Sequence, residues 1–287
     1  MRLGTRGSAL ALVQARWVAD HLPGDVEIVE ITTTGDGDRA ARDKEKWVRE
    51  LDRALLAGEI DLAVHSAKDV PGHLADGLVI AGVPPRAPAG DALCGADGLD
   101  ALAPGAVVGT ASVRRAAQLR ALREDLRVTE LRGNVDTRLR RLADGDYAAI
   151  VLARAGLERL GRGDAVSHVL TELVPAAGQG CLAVTARVGD DEAHAAARAI
   201  EDVDARIALT AERALVVALE ADCDTPVGAH CTVQPGRRTI TAFVGREDGS
   251  AWLRDELSTG DDVPAAALGA TVADRLLAAG AAEVLGR

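Results

Sequence analysis

The sequence predicts an α/β fold in which two similar units are followed by a smaller α+β unit. Predicted strands and helices alternate over residues 1–82 and again over 106–161, which is typical of sheets joined by crossover helices. A proline-rich segment at 83–91 separates the two series, and after residue 226 the pattern changes to short strands and tight turns. The 287 residues are sufficient for two or three domains.

Capping residues and apolar periodicity define the elements of the first unit. Ser8 is suited to cap a helix whose apolar positions run from Leu10 to Val18. The predicted series is a strand at 2–5, the Ser8 helix, a β-branched strand at 26–33, a polar loop at 32–44, a helix from Trp47 to Gly58 and a buried strand at 60–65.

The second unit repeats this arrangement, with Ser112 and Asn134 as helix caps. Its series is a strand at 106–109, a helix to about 125, a strand at 127–131, a helix to about 144, a strand at 148–153 and a short helix at 155–161. Residues 175–180 interrupt the pattern and indicate a hinge or a crossing loop. The remaining elements are a helix at 205–219, strands at 227–233, 239–244 and 251–257, and a terminal helix at 264–279.

The charge distribution argues for a small anionic ligand. The net charge is −11, which disfavours a nucleic-acid partner recognised through bulk charge. Between Arg114 and Arg141, however, nine Arg face four acidic residues, a local excess of +5. Aromatic residues make up only 2% of the chain, too few for a base-stacking surface.

The cysteines and the N-terminus indicate a cytoplasmic protein. No apolar run approaches the roughly 20 residues needed to span a bilayer, and no basic leader with an apolar core and cleavage site begins the sequence. The four cysteines form no CxxC pair and no zinc pattern, so no metal is expected and each thiol is expected to be reduced.

Three predicted strand-to-helix turns carry Arg together with hydroxyl or amide residues: 5–8, 110–115 and 131–138. Backbone N–H groups at a helix start, with nearby guanidinium groups, can bind carboxylates or phosphates. Each turn also fits an ordinary cap with solvated Arg on the helix surface. No Walker loop and no GxGxxG motif is present.

Two further segments carry reactive side chains. Lys68, one of three Lys in the chain, precedes Asp69 after the buried strand at 60–65. A carboxylate kept ionised by a neighbouring cation can stabilise developing positive charge, although a surface ion pair is the simpler alternative. Cys223 lies between acidic residues on a predicted loop. These neighbours raise a thiol pKa and disfavour a protease-type nucleophile, but a covalent tether is compatible with them.

Together these segments resemble the porphobilinogen deaminase (hydroxymethylbilane synthase) family. The matching segments follow the family's order across nearly the whole chain. They are TRGSALAL (5–12), AVHSAKDVP (63–71), VGTASVRR (108–115), LRGNVDTRL (131–139), AGLERLG (155–161), PAAGQG (175–180), TAERAL (210–215) and LEADCDTPVG (219–228).

The resemblance implies three domains, of which the first two resemble the lobes of periplasmic binding proteins with a cleft between them. Domain 1 is expected at 1–86 plus 181–200, since the chain returns to it through a strand at 182–185 after the hinge. Domain 2 is expected at 87–180. Domain 3, a small α+β domain carrying the cofactor-attachment cysteine, is expected at 201–287.

The resemblance also implies a reaction and residue roles. Four porphobilinogen molecules would condense head to tail with loss of ammonia onto a dipyrromethane attached through Cys223, and water would then release hydroxymethylbilane. Asp69 matches the catalytic carboxylate, which can stabilise azafulvenium-like cations, and Lys68 is assigned beside it. Residues matching the cofactor-binding positions are Arg6, Ser8, Lys44, Ser66, Thr110, Ser112, Arg114, Arg115, Arg132, Gly133, Asn134, Arg138, Arg159 and Gln179.

One region departs from the family pattern. The loop at 35–47 is short and lacks the expected glycines, with Lys44 and Trp47 in place of the usual lysine and aromatic residue. This departure leaves a weakened paralogue as an alternative. The Arg-bearing turns would also suit a non-catalytic two-lobed protein that binds a small polycarboxylate, and a phosphate-transfer enzyme with 32–38 as a metal loop is a third possibility. The expected partner is the small-molecule substrate alone, with the chain acting as a monomer without nucleic acid or membrane.

Overall fold

The structure is a computed structural model that describes residues 1–31, 45–222 and 224–287, with the backbone alone at 45–47. The loop predicted at 32–44, with Lys44, and the proposed attachment residue Cys223 lie outside the described residues. Nothing in the structure therefore bears on the shortened segment at 35–47 as a whole.

Strands and helices alternate through much of the described chain. The strands are β1 (Arg2–Arg6), β2 (Glu27–Ile31), β3 (Leu62–Ser66), β4 (Leu78–Gly82), β5 (Asp91–Cys94), β6 (Val107–Thr110), β7 (Arg127–Glu130), β8 (Ala149–Ala153), β9 (His168–Leu170), β10 (Leu182–Arg187), β11 (Val227–Gln234), β12 (Arg237–Gly245) and β13 (Trp252–Thr259). The α-helices are α1 (Ala9–His21), α2 (Glu45–Leu56), α3 (Val113–Leu122), α4 (Val135–Ala143), α5 (Arg154–Arg159), α6 (Asp191–Ala199), α7 (Val203–Ala218), α8 (Ala265–Ala278) and α9 (Ala281–Val284).

The first sheet has the strand order β2-β1-β3-β10-β4. Strands β1, β2 and β3 are parallel, whereas β10 is antiparallel to both β3 and β4. The expected strand after the hinge is thus confirmed as β10, which brings the chain back to the first sheet. Its apolar face packs with α1 and α6, as Leu3, Val18, Val184 and Ala197 share one buried cluster.

The second sheet has the order β7-β6-β8-β5-β9, with β6 parallel to both β7 and β8. The third sheet is the antiparallel β11-β12-β13, which α7 and α8 cover through a core that includes Leu215, Ile240 and Val272. The predicted fold class, two α/β units followed by a small α+β unit, is therefore confirmed.

Several elements of the structure are not predicted by the periodicity: β4, β5, β9 and α6. Strand β9 has three residues, too few to show a period of two. Strand β5 begins at a charged residue, Asp91, inside the segment predicted as a linker. Helix α6 buries alanines, whose small side chains give a weak amphipathic signal.

No helix in the described ranges is both long enough and apolar enough to cross a membrane.

Candidate functional site

The predicted site residues cluster at the carboxyl ends of the parallel strands in the first two sheets. Arg6 ends β1 and Ser66 ends β3, and these parallel strands place both residues at one edge. In the second sheet, the turns that follow β6, β7 and β8 lie on one edge for the same reason. Ligands of open α/β sheets bind at such edges.

Helix α1 and the turn after β3 are linked through hydroxyl groups. Ser8 caps α1 and accepts a hydrogen bond from the Ala11 backbone N–H at 3.3 Å. The Gln14 amide nitrogen donates to the Ser66 hydroxyl at 2.9 Å, which fixes the start of the following turn. Ser8 and Ser66 therefore both have structural partners at this edge.

Lys68 and Asp69 lie on a one-turn 3-10 helix, Ala67–Asp69, directly after β3, and both are half-buried. The pKa of the buried His65, at the end of β3, responds to the charges around this turn. Burial lowers its pKa to about 4, while Asp69 acts to raise that pKa and Arg6 to lower it. Arg6 ends β1 and Asp69 follows β3, and because these two strands pair in parallel, the structure brings both predicted site residues to the same edge of the first sheet.

Ser112 caps α3 as predicted. Its hydroxyl accepts from the Arg115 N–H at 3.4 Å, and its own N–H donates to the Thr110 hydroxyl at 3.2 Å. This turn fixes where the side chains of the next two residues point.

Arg114 and Arg115 are buried, so the alternative of solvated arginines on the α3 surface is wrong. Both guanidinium groups bind the Asp91 carboxylate, Arg114 at 2.8 Å and Arg115 at 2.8 Å. Arg114 also donates to the Val174 carbonyl at 2.6 Å. Burial raises the pKa of Asp91, but the two guanidinium groups outweigh it and hold that pKa below its ordinary value.

Gln179 completes this buried cluster. Its amide nitrogen donates to Asp91 at 2.8 Å, and its amide oxygen accepts from Arg115 at 3.3 Å. The cluster formed by Asp91, Arg114, Arg115 and Gln179, here called the crossing cluster, joins β5 to the segment that leads back to the first sheet. Gln179 therefore has a structural role in addition to its predicted place in the site.

Arg138 lies next to the crossing cluster. Its Nε donates to the Gly133 carbonyl at 2.7 Å, and Asn134 caps its helix α4 by accepting from the Thr137 N–H at 2.9 Å. Burial and, to a smaller extent, the charge of Arg115 together lower the pKa of Arg138 to about 10. Arg114 and Arg115 thus share the Asp91 carboxylate, whereas Arg138 binds the backbone of its own turn.

Gly133 and Arg132 occupy the start of the same turn. Gly133 has φ +115, and a Cβ there would lie 3.0 Å from the Thr137 side chain, so this turn requires glycine. Arg132 is exposed and pairs with Glu130 at 2.8 Å. Arg132 is therefore held by a surface carboxylate, whereas Arg138 is held by the backbone of the turn.

Arg159 connects α5 to the crossing segment, residues 175–180, through which the chain returns to the first sheet. Its Nη2 donates to the Gly180 carbonyl at 2.8 Å, and burial lowers its pKa. On the same helix, Gly156 lies against Leu10 of α1, with 3.8 Å between a built Cβ and the leucine methyl. The first two units thus contact each other at the helices that follow β1 and β8.

Sequence reasoning missed three buried charges that organise this region: Asp91, Arg86 and Glu212. Arg86 pairs with Glu212 at 2.6 Å, and Glu212 also accepts from the N–H groups of Gly178 at 2.6 Å and Cys231 at 2.7 Å. Glu212 therefore ties the crossing segments to the third sheet. An acidic residue on the apolar face of the predicted helix 205–219 is the signal that could have identified it.

The cysteines inside the described ranges are buried, free thiols: Cys94, Cys181 and Cys231. Burial raises their pKa values to about 11, about 12 and about 12 respectively. These three residues therefore behave as small buried apolar side chains, and none is an activated nucleophile. In the described part of the chain, no group of three or more His, Cys, Asp or Glu side chains is placed to hold a metal ion.

Family models match most of the chain. Residues 1–195 match the model "Porphobilinogen deaminase, dipyromethane cofactor binding domain", and residues 206–278 match "Porphobilinogen deaminase, C-terminal domain". Similar curated proteins are the porphobilinogen deaminases of Desulforudis audaxviator, at 46% identity over 99% of this chain and 96% of that protein, and of Brevibacillus brevis, at 42% over 99% and 96%.

Among solved structures, a methionine-binding protein, MetQ, aligns at 17% identity over 72% of this chain and 91% of its own, with a TM-score of 0.43. This likeness is too low to support a conclusion.

Proposed function

The chain belongs to the porphobilinogen deaminase family, and we propose from its site how its own residues carry out the family's reaction. The protein is a transferase of tetrapyrrole biosynthesis that condenses four porphobilinogen molecules with loss of ammonia, releases hydroxymethylbilane and uses a dipyrromethane cofactor. When bound, the dipyrromethane supplies the primer to which the first porphobilinogen is joined.

The described residues suit a covalently held dipyrromethane. Each pyrrole of this group carries an acetate and a propionate, so the group has four carboxylates. The crossing cluster provides two guanidinium groups against one carboxylate, and the burial of Arg114 and Arg115 on Asp91 is the observation that carries the proposal. A carboxylate placed there relieves like-charge repulsion, and Arg binds it in a bidentate manner.

Within this site, Arg114, Arg115, Arg138 and Arg159 supply the positive charge for the carboxylates, with Arg6 across the cleft and Arg132 at its rim. Backbone and side-chain donors orient the ring system. These donors are Ser8, Ser66, Thr110, Ser112, Gly133, Asn134 and Gln179. Lys44, outside the described residues, is proposed as a further cation over the site.

Asp69 is the proposed catalytic carboxylate. It lies at the carboxyl edge of the first sheet, near Arg6, on the turn that begins at the hydrogen-bonded Ser66. An ionised carboxylate there stabilises the positive charge that develops on the substrate as ammonia leaves and accepts a hydrogen bond from a pyrrole N–H. Lys68, next to it, favours the ionised form of Asp69.

Cys223 is the proposed attachment residue. Helix α7 ends at Ala218, and a turn in which Asp222 accepts from the Thr225 hydroxyl at 2.6 Å flanks position 223. The other cysteines are buried with raised pKa values, which supports Cys223 as the thiol available for a thioether.

The intact mass of the purified protein tests the attachment. We expect a covalent dipyrromethane adduct that reacts with Ehrlich's reagent, and its loss in Cys223→Ser. Cys231→Ser is the matched control and keeps the adduct. An unmodified thiol in protein made by a haem-competent host contradicts the proposal.

The role of Asp69 is tested by turnover. We expect Asp69→Ala to abolish hydroxymethylbilane formation while the adduct remains, whereas Asp76→Ala, at an exposed position further along the chain, leaves turnover unchanged. A wild-type protein without turnover would instead favour a polycarboxylate-binding protein or a weakened paralogue.

The domain division 1–86 plus 181–200, 87–180 and 201–287 is part of the proposal, supported by the membership of β10 in the first sheet. We further infer a monomer in the cytoplasm that acts on porphobilinogen without nucleic acid or membrane. The acidic net charge of −11 and the free cysteines of the described part support this inference. Light scattering on the purified protein tests the monomer.

A further inference from the structure

Arg213 of α7 hydrogen-bonds to the backbone that directly follows Asp69. Its Nη1 donates to the Val70 carbonyl at 3.2 Å, and its Nη2 donates to the carbonyls of Pro71 at 2.7 Å and Gly72 at 2.9 Å. These are the three residues that directly follow Asp69. One guanidinium group thus binds three consecutive carbonyls next to the proposed catalytic carboxylate.

The backbone of residues 70–72, to which Arg213 binds, lies outside any helix or strand. After the 3-10 turn the Val70 N–H returns to the Ala67 carbonyl at 3.2 Å, and Pro71 has no N–H to donate. A hydrogen bond to an ionised donor is about twice as strong as one between neutral groups. Arg213 is therefore a main fixed point for this part of the backbone.

Apolar contacts bring α7 to the same turn. Ala205 and Leu209 of α7 share a buried cluster with Ala67 and Val70, on either side of Asp69. A Cβ on Gly72 would lie 3.1 Å from a Val217 methyl, so helix and turn are in close contact there as well.

The environment of Arg213 is that of a positioning cation rather than an ion pair. Its hydrogen-bond acceptors are all backbone carbonyls, and it forms no salt bridge with a carboxylate of the described residues. Burial lowers its pKa. A side chain that donates hydrogen bonds to three carbonyls while partly buried is difficult to replace. Lys offers one ammonium group, and an uncharged residue offers no comparable donor.

Helix α7 also leads to the proposed attachment residue, since it ends five residues before Cys223. We propose that Arg213 is a positioning residue that fixes the Asp69 carboxylate relative to α7, the helix that leads to the proposed attachment residue. The proposal rests on the roles of Asp69 and Cys223 given under the proposed function. It adds a residue that the sequence motif does not distinguish from its neighbours.

The test compares Arg213→Met with Arg213→Lys, each measured per folded molecule that carries the adduct by intact mass. Because misplacing a catalytic group by about 1 Å costs about 100-fold, we expect Arg213→Met to lower kcat by about 10- to 100-fold. KM stays within about 3-fold, since Arg213 binds carbonyls of the chain and not the substrate. Arg213→Lys should recover part of kcat.

Arg206→Met is the matched control on the same helix. Arg206 is also partly buried, and it donates to the Ile80 carbonyl at 3.1 Å as well as to Glu201. We expect its kcat to stay within 2-fold of wild type. Equal losses in both variants would show a general effect of destabilising α7 and would overturn the proposal.

The remaining outcomes also support or refute the positioning role of Arg213. Arg213→Met with wild-type kcat refutes the positioning role, and so does a folded Arg213→Met that lacks the adduct, because Arg213 would then act on attachment. If Arg213→Met does not fold, Arg213→Lys with unchanged kcat refutes the proposal and a reduced kcat supports it. Failure of the proposed function is separate: the wild-type protein itself would show no adduct or no turnover.

Discussion

Replacing Asp91 with Asn should destabilise the protein by about 3–5 kcal/mol, the usual cost of removing one partner from a buried ion pair. The Asp91 side chain is fully buried, and the Arg114 and Arg115 side chains are 4% and 6% exposed. Asn has nearly the same shape but no charge, so two guanidinium groups remain buried without a counter-ion. The loss is set by their desolvation rather than by a cavity.

Urea unfolding followed by far-UV circular dichroism measures this loss. For an m value of about 2 kcal/mol/M, the midpoint falls by about 1.5–2.5 M. Asp125→Asn is the matched control, since it makes the same change in an ion pair with Arg123 whose carboxylate is 40% exposed. That pair should contribute no more than about 1 kcal/mol. Equal midpoints for the two variants would refute the view that the crossing cluster depends on the Asp91 charge.

Three further outcomes follow from the site and its hinge. Burial lowers the pKa of His65 to about 4 in the folded protein, below its value of about 6.5 in the unfolded chain. As the pH drops from about 6.5 to 4, the unfolded chain therefore binds a proton at His65 before the folded protein does, and the free energy of unfolding falls by up to about 3 kcal/mol. His65→Asn should flatten that part of a curve of stability against pH. Gly180→Ala should destabilise far more than Gly189→Ala, because both have positive φ but only the Gly180 Cβ would lie 2.2 Å from the Ala87 carbonyl oxygen; equal losses contradict the close crossing. Arg138→Gln should reduce adduct formation more than Arg132→Gln, measured by intact mass, and the reverse order would contradict the placement of Arg138 beside Arg115.

The fold could be predicted from the sequence wherever burial leaves a repeating pattern. The caps at Ser8, Ser112 and Asn134 are all confirmed because a cap depends on local chemistry alone. Strand β5 could not be predicted, because Asp91 is charged and its burial depends on two arginines more than 20 residues away. Pairing between distant charges leaves no period in the sequence.

The site was predicted better in its residue types than in their surroundings. The motif 110–115 predicts two arginines near an anion, but its spacing does not show that one anion is Asp91 of the chain itself. Glu212 and Arg86 have no place in the predicted site, although their contact fixes the crossing segments. Such residues could be recognised only from the three-dimensional contacts.

The local excess of positive charge between Arg114 and Arg141 also has a narrower meaning in the structure. Three arginines of this segment, which are at least partly exposed, pair with acidic residues close by in sequence: Arg123 with Asp125, Arg132 with Glu130 and Arg141 with Asp146. Surface pairs of this kind contribute little to stability, and they also reduce the positive potential that a ligand meets. The charge that matters is therefore the smaller, buried surplus of the crossing cluster, where two arginines share one carboxylate and low solvent exposure weakens screening. The sign of the net charge of residues 114–141 follows from composition. The strength of ligand binding follows from which arginines the fold places with fewer carboxylate partners than guanidinium groups.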